Sequence, residues 1–272
     1  MFASTEEAVE IAAPYLRECR LCPRDCRVNR SAGQTGYCGL DSRARYFREM
    51  LHPHEEAELS PSHQIYFAGC NLRCGFCTVP EWNAEPMAVA ELDEDWLIGR
   101  IELRKRQGAR NVNLLGGEPT VSLPGILPML ARLAPSTPVV LNSNMYYNGD
   151  IDALLDRCID IYLADLKCGN RRCAEVLLDA ADYVDVARWN ILRASGHANL
   201  IVRHLMLPGH RDCCLRPTLR WLAREIPNVK LSLRTDYVPP AVAGSAPTGY
   251  AAQQDIISAR NEARDLGLRL IE

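Results

Sequence analysis

The most constraining feature of this chain is the run Ile65-Tyr66-Phe67-Ala68-Gly69-Cys70-Asn71-Leu72-Arg73-Cys74-Gly75-Phe76-Cys77. An apolar segment of strand character leads directly into three cysteines spaced C-x3-C-x2-C. Three thiolates on one tight loop hold three irons of a 4Fe-4S cluster and leave the fourth iron open to another ligand. A structural zinc would need a fourth protein ligand, which this loop does not offer. Whatever fold the chain takes must present Cys70, Cys74 and Cys77 together at the end of a strand.

A second ordered group precedes the first. Cys19, Cys22, Cys26 and Cys38 lie in CRLCPRDCRVNRSAGQTGYCG, a glycine-bearing knuckle with too little apolar sequence for a core of its own. Such a segment folds around a metal. Four thiolates suit zinc and an iron–sulfur cluster equally, and both are carried forward as a second metal site. The chain has 12 cysteines. The remaining five are Cys158, Cys168, Cys173, Cys213 and Cys214; the last four have no cluster spacing and read as buried inert thiols, with a radical relay or a substrate thiol as the alternative. His52, His54 and His63 read as solvated or bonded to backbone, and not as ligands.

From Ile65 onward, apolar runs alternate with helical stretches. Strands are expected at Ile65–Ala68, Asn111–Leu115, Val139–Asn142, Ile159–Asp165, Leu200–Leu207 and Lys230–Arg234. Helices are expected at about Asp93–Gln107, Leu123–Leu133, Ile151–Arg157, Arg171–Trp189, Leu215–Glu225 and Gln253–Leu266. That order predicts an α/β fold, a partial (β/α)6 barrel of the TIM type, with an open doubly wound sheet as the alternative. The division falls near residue 60. Residues 1–60 form an N-terminal helix (4–18, with Pro14 kinking it or limiting it to a turn) and the knuckle, with His54 to Glu58 and Pro61 as the connection onward; residues 61–272 form the barrel.

Polar motifs follow each strand: Gly116-Gly117-Glu118-Pro119, Asn142-Ser143-Asn144, Asp165-Leu166-Lys167, Pro208-Gly209-His210 and Asp236-Tyr237. Strand ends of this kind share one face of a barrel, where its chemistry lies. Residues 239–254 read as a loop, either a lid over that face or an exposed linker.

These motifs resemble the radical S-adenosylmethionine (SAM) superfamily. The resemblance implies that Cys70, Cys74 and Cys77 bind a site-differentiated 4Fe-4S cluster and that Glu118, beside Gly116 and Gly117, meets the amino group of SAM. It further implies SAM contacts at Phe76, Asn142, Asn144, Asp165, Lys167 and Arg203, and a reductive cleavage giving a 5′-deoxyadenosyl radical that takes hydrogen from a substrate. An oxidoreductase of this class needs an electron donor such as flavodoxin or ferredoxin. More narrowly, FAGCNLRCGFCTVPEWN, YLADLK and RHLMLPGH are similar to the pyruvate formate-lyase-activating enzyme branch, which implies a glycyl-radical enzyme as partner; a peptide or small molecule is the other substrate class. A non-catalytic iron–sulfur or redox-sensing binding protein is the alternative to an enzyme. Two departures mark the chain: Tyr237 stands where activases often carry a His, and the extra cysteines come before the cluster loop. His204, next to Arg203, is expected to be buried and satisfied.

A net charge of −3, with basic residues scattered among acids, gives no nucleic-acid footprint. No apolar run is long enough for a membrane helix, and the acidic N-terminal stretch is unlike a secretion signal. A cytoplasmic location is the expectation.

Overall fold

Val140, Leu141, Leu163 and Ala164 are almost without solvent exposure, as side chains of a sheet covered on both faces must be. The computed structural model describes residues 2–241 and 244–271. Its strands are β1 (Tyr46–His52), β2 (Ser62–Phe67), β3 (Val112–Gly116), β4 (Val139–Ser143), β5 (Ile161–Asp165), β6 (Asn199–Leu205), β7 (Lys230–Arg234) and β8 (Arg269–Ile271). The helices are α1 (Thr5–Arg17), α2 (Pro80–Ala84), α3 (Glu94–Arg106), α4 (Pro119–Ala131), α5 (Asp152–Leu155), α6 (Arg171–Leu178), α7 (Tyr183–Ser195), α8 (Arg216–Glu225) and α9 (Gln253–Asp265). The strands follow one another in sequence order in an eight-stranded sheet. Pairings β2–β3, β3–β4, β6–β7 and β7–β8 are parallel, and β1 runs antiparallel to β2. The fold is α/β with a mostly parallel sheet, as the alternation of strands and helices requires.

Two units can be described separately. One comprises Met1–Asn71, Val79–Ser143 and Tyr147–Ile161; the other comprises Leu72–Thr78, Asn144–Tyr146 and Tyr162–Glu272. In the first, Ser4 caps α1 by accepting from the Glu7 N–H, and the helix runs through Pro14 to Arg17. Pro14 therefore neither stops nor limits it to a turn. Ahead of the expected connection at His54 to Glu58, a strand not expected from the sequence forms, β1, which Arg48 and Glu49 disguise. Its Phe47 ring stacks on Trp82 with centroids 4.8 Å apart. His63 also departs from expectation: it is buried, with Nε2 2.9 Å from the Glu49 carboxylate.

In the second unit, the single helix expected over Arg171–Trp189 is broken. Asp179 adopts left-handed backbone (φ 56°) and closes α6. Asp tolerates that conformation better than most residues. A π-helical turn, Arg211–Leu215, precedes α8. The loop after β7 includes Val242 and Ala243, which lie outside the described residues. Its neighbours Ser245 and Ala246 lie against Gly75, where an added Cβ would collide with them.

Candidate active site

In the first unit, β2 and β3 deliver Gly69-Cys70 and Gly116-Gly117-Glu118 side by side. Gly117 N–H donates to Phe67 O at 2.7 Å and Glu118 N–H to Gly69 O at 2.9 Å. A Cβ on Gly116 would strike the backbone of Phe67, and one on Gly117 would strike Gly69 O and Asn83 Oδ1. The two glycines are therefore required by the approach of the loop that ends in Cys70. Gly116 has φ 117°, which a residue with a side chain rarely adopts.

Glu118 is fully buried and caps α4. Its Oε1 accepts from Thr120 N–H (3.1 Å), Thr120 Oγ1 (2.8 Å) and Ser143 Oγ (2.8 Å). The carboxylate is thus fixed in orientation by the strand end that also carries buried Asn142. Asn144, in the second unit, accepts from Tyr146 N–H at 2.8 Å, an Asx turn.

The second unit holds Cys74, Phe76 and Cys77. The amides of this loop dock on the end of α6: Arg73 N–H donates to Leu178 O (3.0 Å) and Gly75 N–H to Leu177 O (2.9 Å). These carbonyls belong to the last turn, where no intrahelical donor is available. Cys77 N–H donates to Cys74 O at 3.1 Å, curling the two thiols onto one turn. Phe76 is half-buried.

Beside Cys74 stands a charged set from the ends of β5 and β6. Lys167 Nζ lies 2.6 Å from Asp165 Oδ2, and Arg203 Nε lies 2.6 Å from Asp165 Oδ1. Burial opposes the charge on Asp165, but Arg203 and Lys167 outweigh it and hold the carboxyl well below the usual range. Burial likewise opposes the Lys167 charge, and Asp165 overcomes it, so the ammonium stays protonated. Burial pushes the Cys74 thiol up to about 12 against the opposing pull of Lys167. Tyr183 Oη donates to Asp165 O (2.8 Å) and accepts from Lys167 N–H (3.0 Å), fixing the strand end. His204 is buried as expected, its Nδ1 2.5 Å from Leu166 O. A carbonyl only accepts, so Nδ1 carries the proton. Tyr237 is buried and donates to Pro247 O at 2.5 Å.

The N-terminal cysteines belong to the first unit and line one recess with Arg30 and Val121. Burial pushes Cys22 up to about 12 and raises Cys38. Gly36 passes against Cys26, with room for no Cβ (2.8 Å to Cys26 Sγ), and Tyr37 N–H donates to Cys26 Sγ at 3.3 Å. Buried Arg30 fastens the knuckle by donating to Asp41 O and Val121 O, each at 2.7 Å.

One cluster was missed in the sequence. Cys173, Cys213 and Cys214 do not stand apart as inert thiols: with His210 they place four ligand atoms within 4.8 Å of one another.

In the second unit, the Cys74 and Cys77 thiols beside the Lys–Asp–Arg set suit a thiolate-bound group and an anion; in the first, buried Glu118 offers a carboxylate to a cation. The radical SAM superfamily model matches residues 65–222, and the chain belongs to that superfamily of enzymes. It is 35% identical over 238 residues to the uncharacterized protein MJ0674 of Methanocaldococcus jannaschii, covering 85% of this chain and 69% of that one. Over 80 residues it is 34% identical to the 7-carboxy-7-deazaguanine synthase of Rhodopirellula baltica, 29% of either chain. Among solved structures, Streptococcus suis SuiB matches with a TM-score of 0.56 at 14% identity, over 76% of this chain and 47% of SuiB. SuiB bound to its precursor peptide SuiA matches with a TM-score of 0.54 at 13% identity, over 74% of this chain and 46% of that one. The chain thus spans about half the length of SuiB, and the likeness is one of fold, the α/β partial barrel. No helix among the described residues is long and apolar enough to cross a membrane.

Proposed function

We propose that Cys70, Cys74 and Cys77 hold a 4Fe-4S cluster with one iron open to SAM, and that the chain abstracts hydrogen from its substrate. The observation that carries this reading is the placing of Lys167, Asp165 and Arg203 beside Cys74. When bound, cluster and SAM supply a one-electron reductive cleavage that yields a 5′-deoxyadenosyl radical.

The protein's own residues bind and orient. Lys167 and Arg203 meet the methionyl carboxylate, while Asp165 keeps both cations in place. Glu118, held by Thr120 and Ser143, receives the amino group. Phe76, Asn142 and Asn144 line the adenosyl side, and Gly116 and Gly117 keep the backbone narrow. Cys19, Cys22, Cys26 and Cys38 hold a second metal, zinc or iron–sulfur. A flavodoxin- or ferredoxin-type donor supplies the electron.

For the substrate, we favour a peptide or small molecule over a glycyl-radical enzyme. A peptide-bound structure and a deazaguanine synthase stand among the similar proteins, whereas activation of a glycyl-radical enzyme is supported by the sequence motifs alone. Anaerobically reconstituted protein, reduced with dithionite, should convert SAM to 5′-deoxyadenosine and methionine, and Cys74→Ser should not. Absence of 5′-deoxyadenosine from the wild type would sink the reading. A glycyl radical seen by electron spin resonance on a co-purified partner would restore the activase.

A further inference from the structure

The loops after β5 and β6 bring together a group that the SAM reading does not use. Cys173 sits in the first turn of α6. His210, Cys213 and Cys214 come from the loop and π-helical turn that precede α8. His210 Nδ1 lies 3.4 Å from Cys213 Sγ, 3.6 Å from Cys173 Sγ and 3.9 Å from Cys214 Sγ. All four ligand atoms lie within 4.8 Å of one another. A tetrahedral zinc, with Zn–S about 2.3 Å and Zn–N about 2.0 Å, sets an S···N edge of about 3.5 Å. The three measured separations scatter around that edge. The thiolates of a cubane cluster bind separate irons and stand farther apart than ligands of one ion, so this spacing belongs to a single ion.

The backbone is shaped to the same end. Cys214 N–H and Leu215 N–H both reach His210 O (2.9 and 3.2 Å), widening the turn that carries two adjacent cysteines. Such π-turns occur frequently at functional sites. Asn170 caps α6 by accepting from Cys173 N–H at 2.9 Å. The same side chain's Nδ2 donates to Cys173 Sγ (3.2 Å) and to Cys213 O (2.6 Å), tying the two loops together. An amide donated to a sulfur is an outer partner that orients a thiolate ligand. Gly169 closes the approach, because a Cβ there would strike the Cys214 backbone.

We infer that Cys173, His210, Cys213 and Cys214 form a closed Cys3His zinc site that staples the loop after β5 to the loop after β6. The role is structural, since four protein ligands leave no position for substrate. Its place gives it a consequence. α6 starts at the zinc and ends at Leu177 and Leu178, the carbonyls that receive the amides of Arg73 and Gly75. The ion fixes the near end of the short helix whose far end supports Cys74 and Cys77.

Elemental analysis of the full chain tests this. Cys173→Ala/Cys213→Ala should contain about one zinc per chain less than the wild type. Cys158→Ala, a thiol that is not a member of the group, should keep the zinc. Zinc X-ray absorption on the wild-type protein needs no variant to fold, and a Cys3His site requires a nitrogen ligand in the zinc shell beside sulfur. Equal zinc in the double variant and the wild type, a zinc shell without nitrogen, or a disulfide mapped to Cys173, Cys213 or Cys214 in anaerobically prepared protein would each overturn the assignment.

Discussion

Arg203 Nε donates to one oxygen of Asp165 at 2.6 Å while Lys167 Nζ holds the other at the same distance. One carboxylate thereby serves two cations, and the set keeps a surplus positive charge for an anionic ligand. Asp165→Asn leaves both cations without their counter-charge. With the side chains 18–20% exposed, the expected loss is about 3 kcal/mol, the lower end for breaking a buried pair. Urea unfolding would measure it. Lys167→Met should keep the iron content of the wild type, yet lower 5′-deoxyadenosine formation about 100-fold, the scale of misplacing a bound reactant.

Gly117→Ala is expected to be poorly tolerated. The new methyl would meet Gly69 O and Asn83 Oδ1, and backbone cannot rotate away as a side chain would. A loss of about 3 kcal/mol is expected from overpacking of this kind. Because Gly69 precedes Cys70, iron retention after desalting should fall as well. Thermal unfolding and iron analysis on the same sample would check both.

Acid should act on the β1–β2 pair of Glu49 and His63. Burial lowers His63 to about 4, even with Glu49 beside it. Its folded value lies below its unfolded one, so the unfolded chain takes up the proton first. Stability is therefore full above about pH 6.5 and is lost as pH falls toward 4. Glu49 is opposed by burial, but Arg104 and Arg100 bring it down to about 2; its share is lost at still lower pH. Relative to His63→Gln, the wild type should lose on the order of 3 kcal/mol between pH 6.5 and 4. A flat difference across that window would refute the assignment.

Removal of metal from the N-terminal knuckle should melt it. The recess formed by Cys19, Cys22, Cys26 and Cys38 is closed by Leu21 and Val121, and Cys38 and Leu40 pack on Val121. In a Cys70/Cys74/Cys77 triple-Ala variant, a metal should remain bound: about four irons if the knuckle holds a cluster, about one if zinc. Chelation should then expose the amides of residues 19–40 to hydrogen exchange.

The strand-end motifs were legible because each combines a local backbone need with a chemical group. Gly116 and Gly117 are demanded by the loop approach, and Asp165-Leu166-Lys167 ends an apolar strand. β1 was not legible, since an antiparallel strand with Arg48 and Glu49 at its centre carries no apolar run. Those charges make sense only after folding, where Glu49 meets Arg100, Arg104 and His63. The Cys173–His210–Cys213–Cys214 group was hidden for another reason. Its ligands come from two loops joined only in space, so no spacing rule applies. The one local signal was the adjacent Cys213-Cys214 pair two residues beyond His210-Arg211.

The docking of the Cys74–Cys77 loop on α6 also bears on the charge those thiols can carry. Amides that point at thiolate sulfurs stabilise the reduced state of a cluster. Here the N–H groups of Arg73, Gly75 and Cys77 are committed to the carbonyls of Leu178, Leu177 and Cys74. The helix end that receives two of them carries the negative pole of its dipole. That pole disfavours added negative charge at Cys74, whereas Lys167 and the backbone hydrogen bond to its thiol favour it.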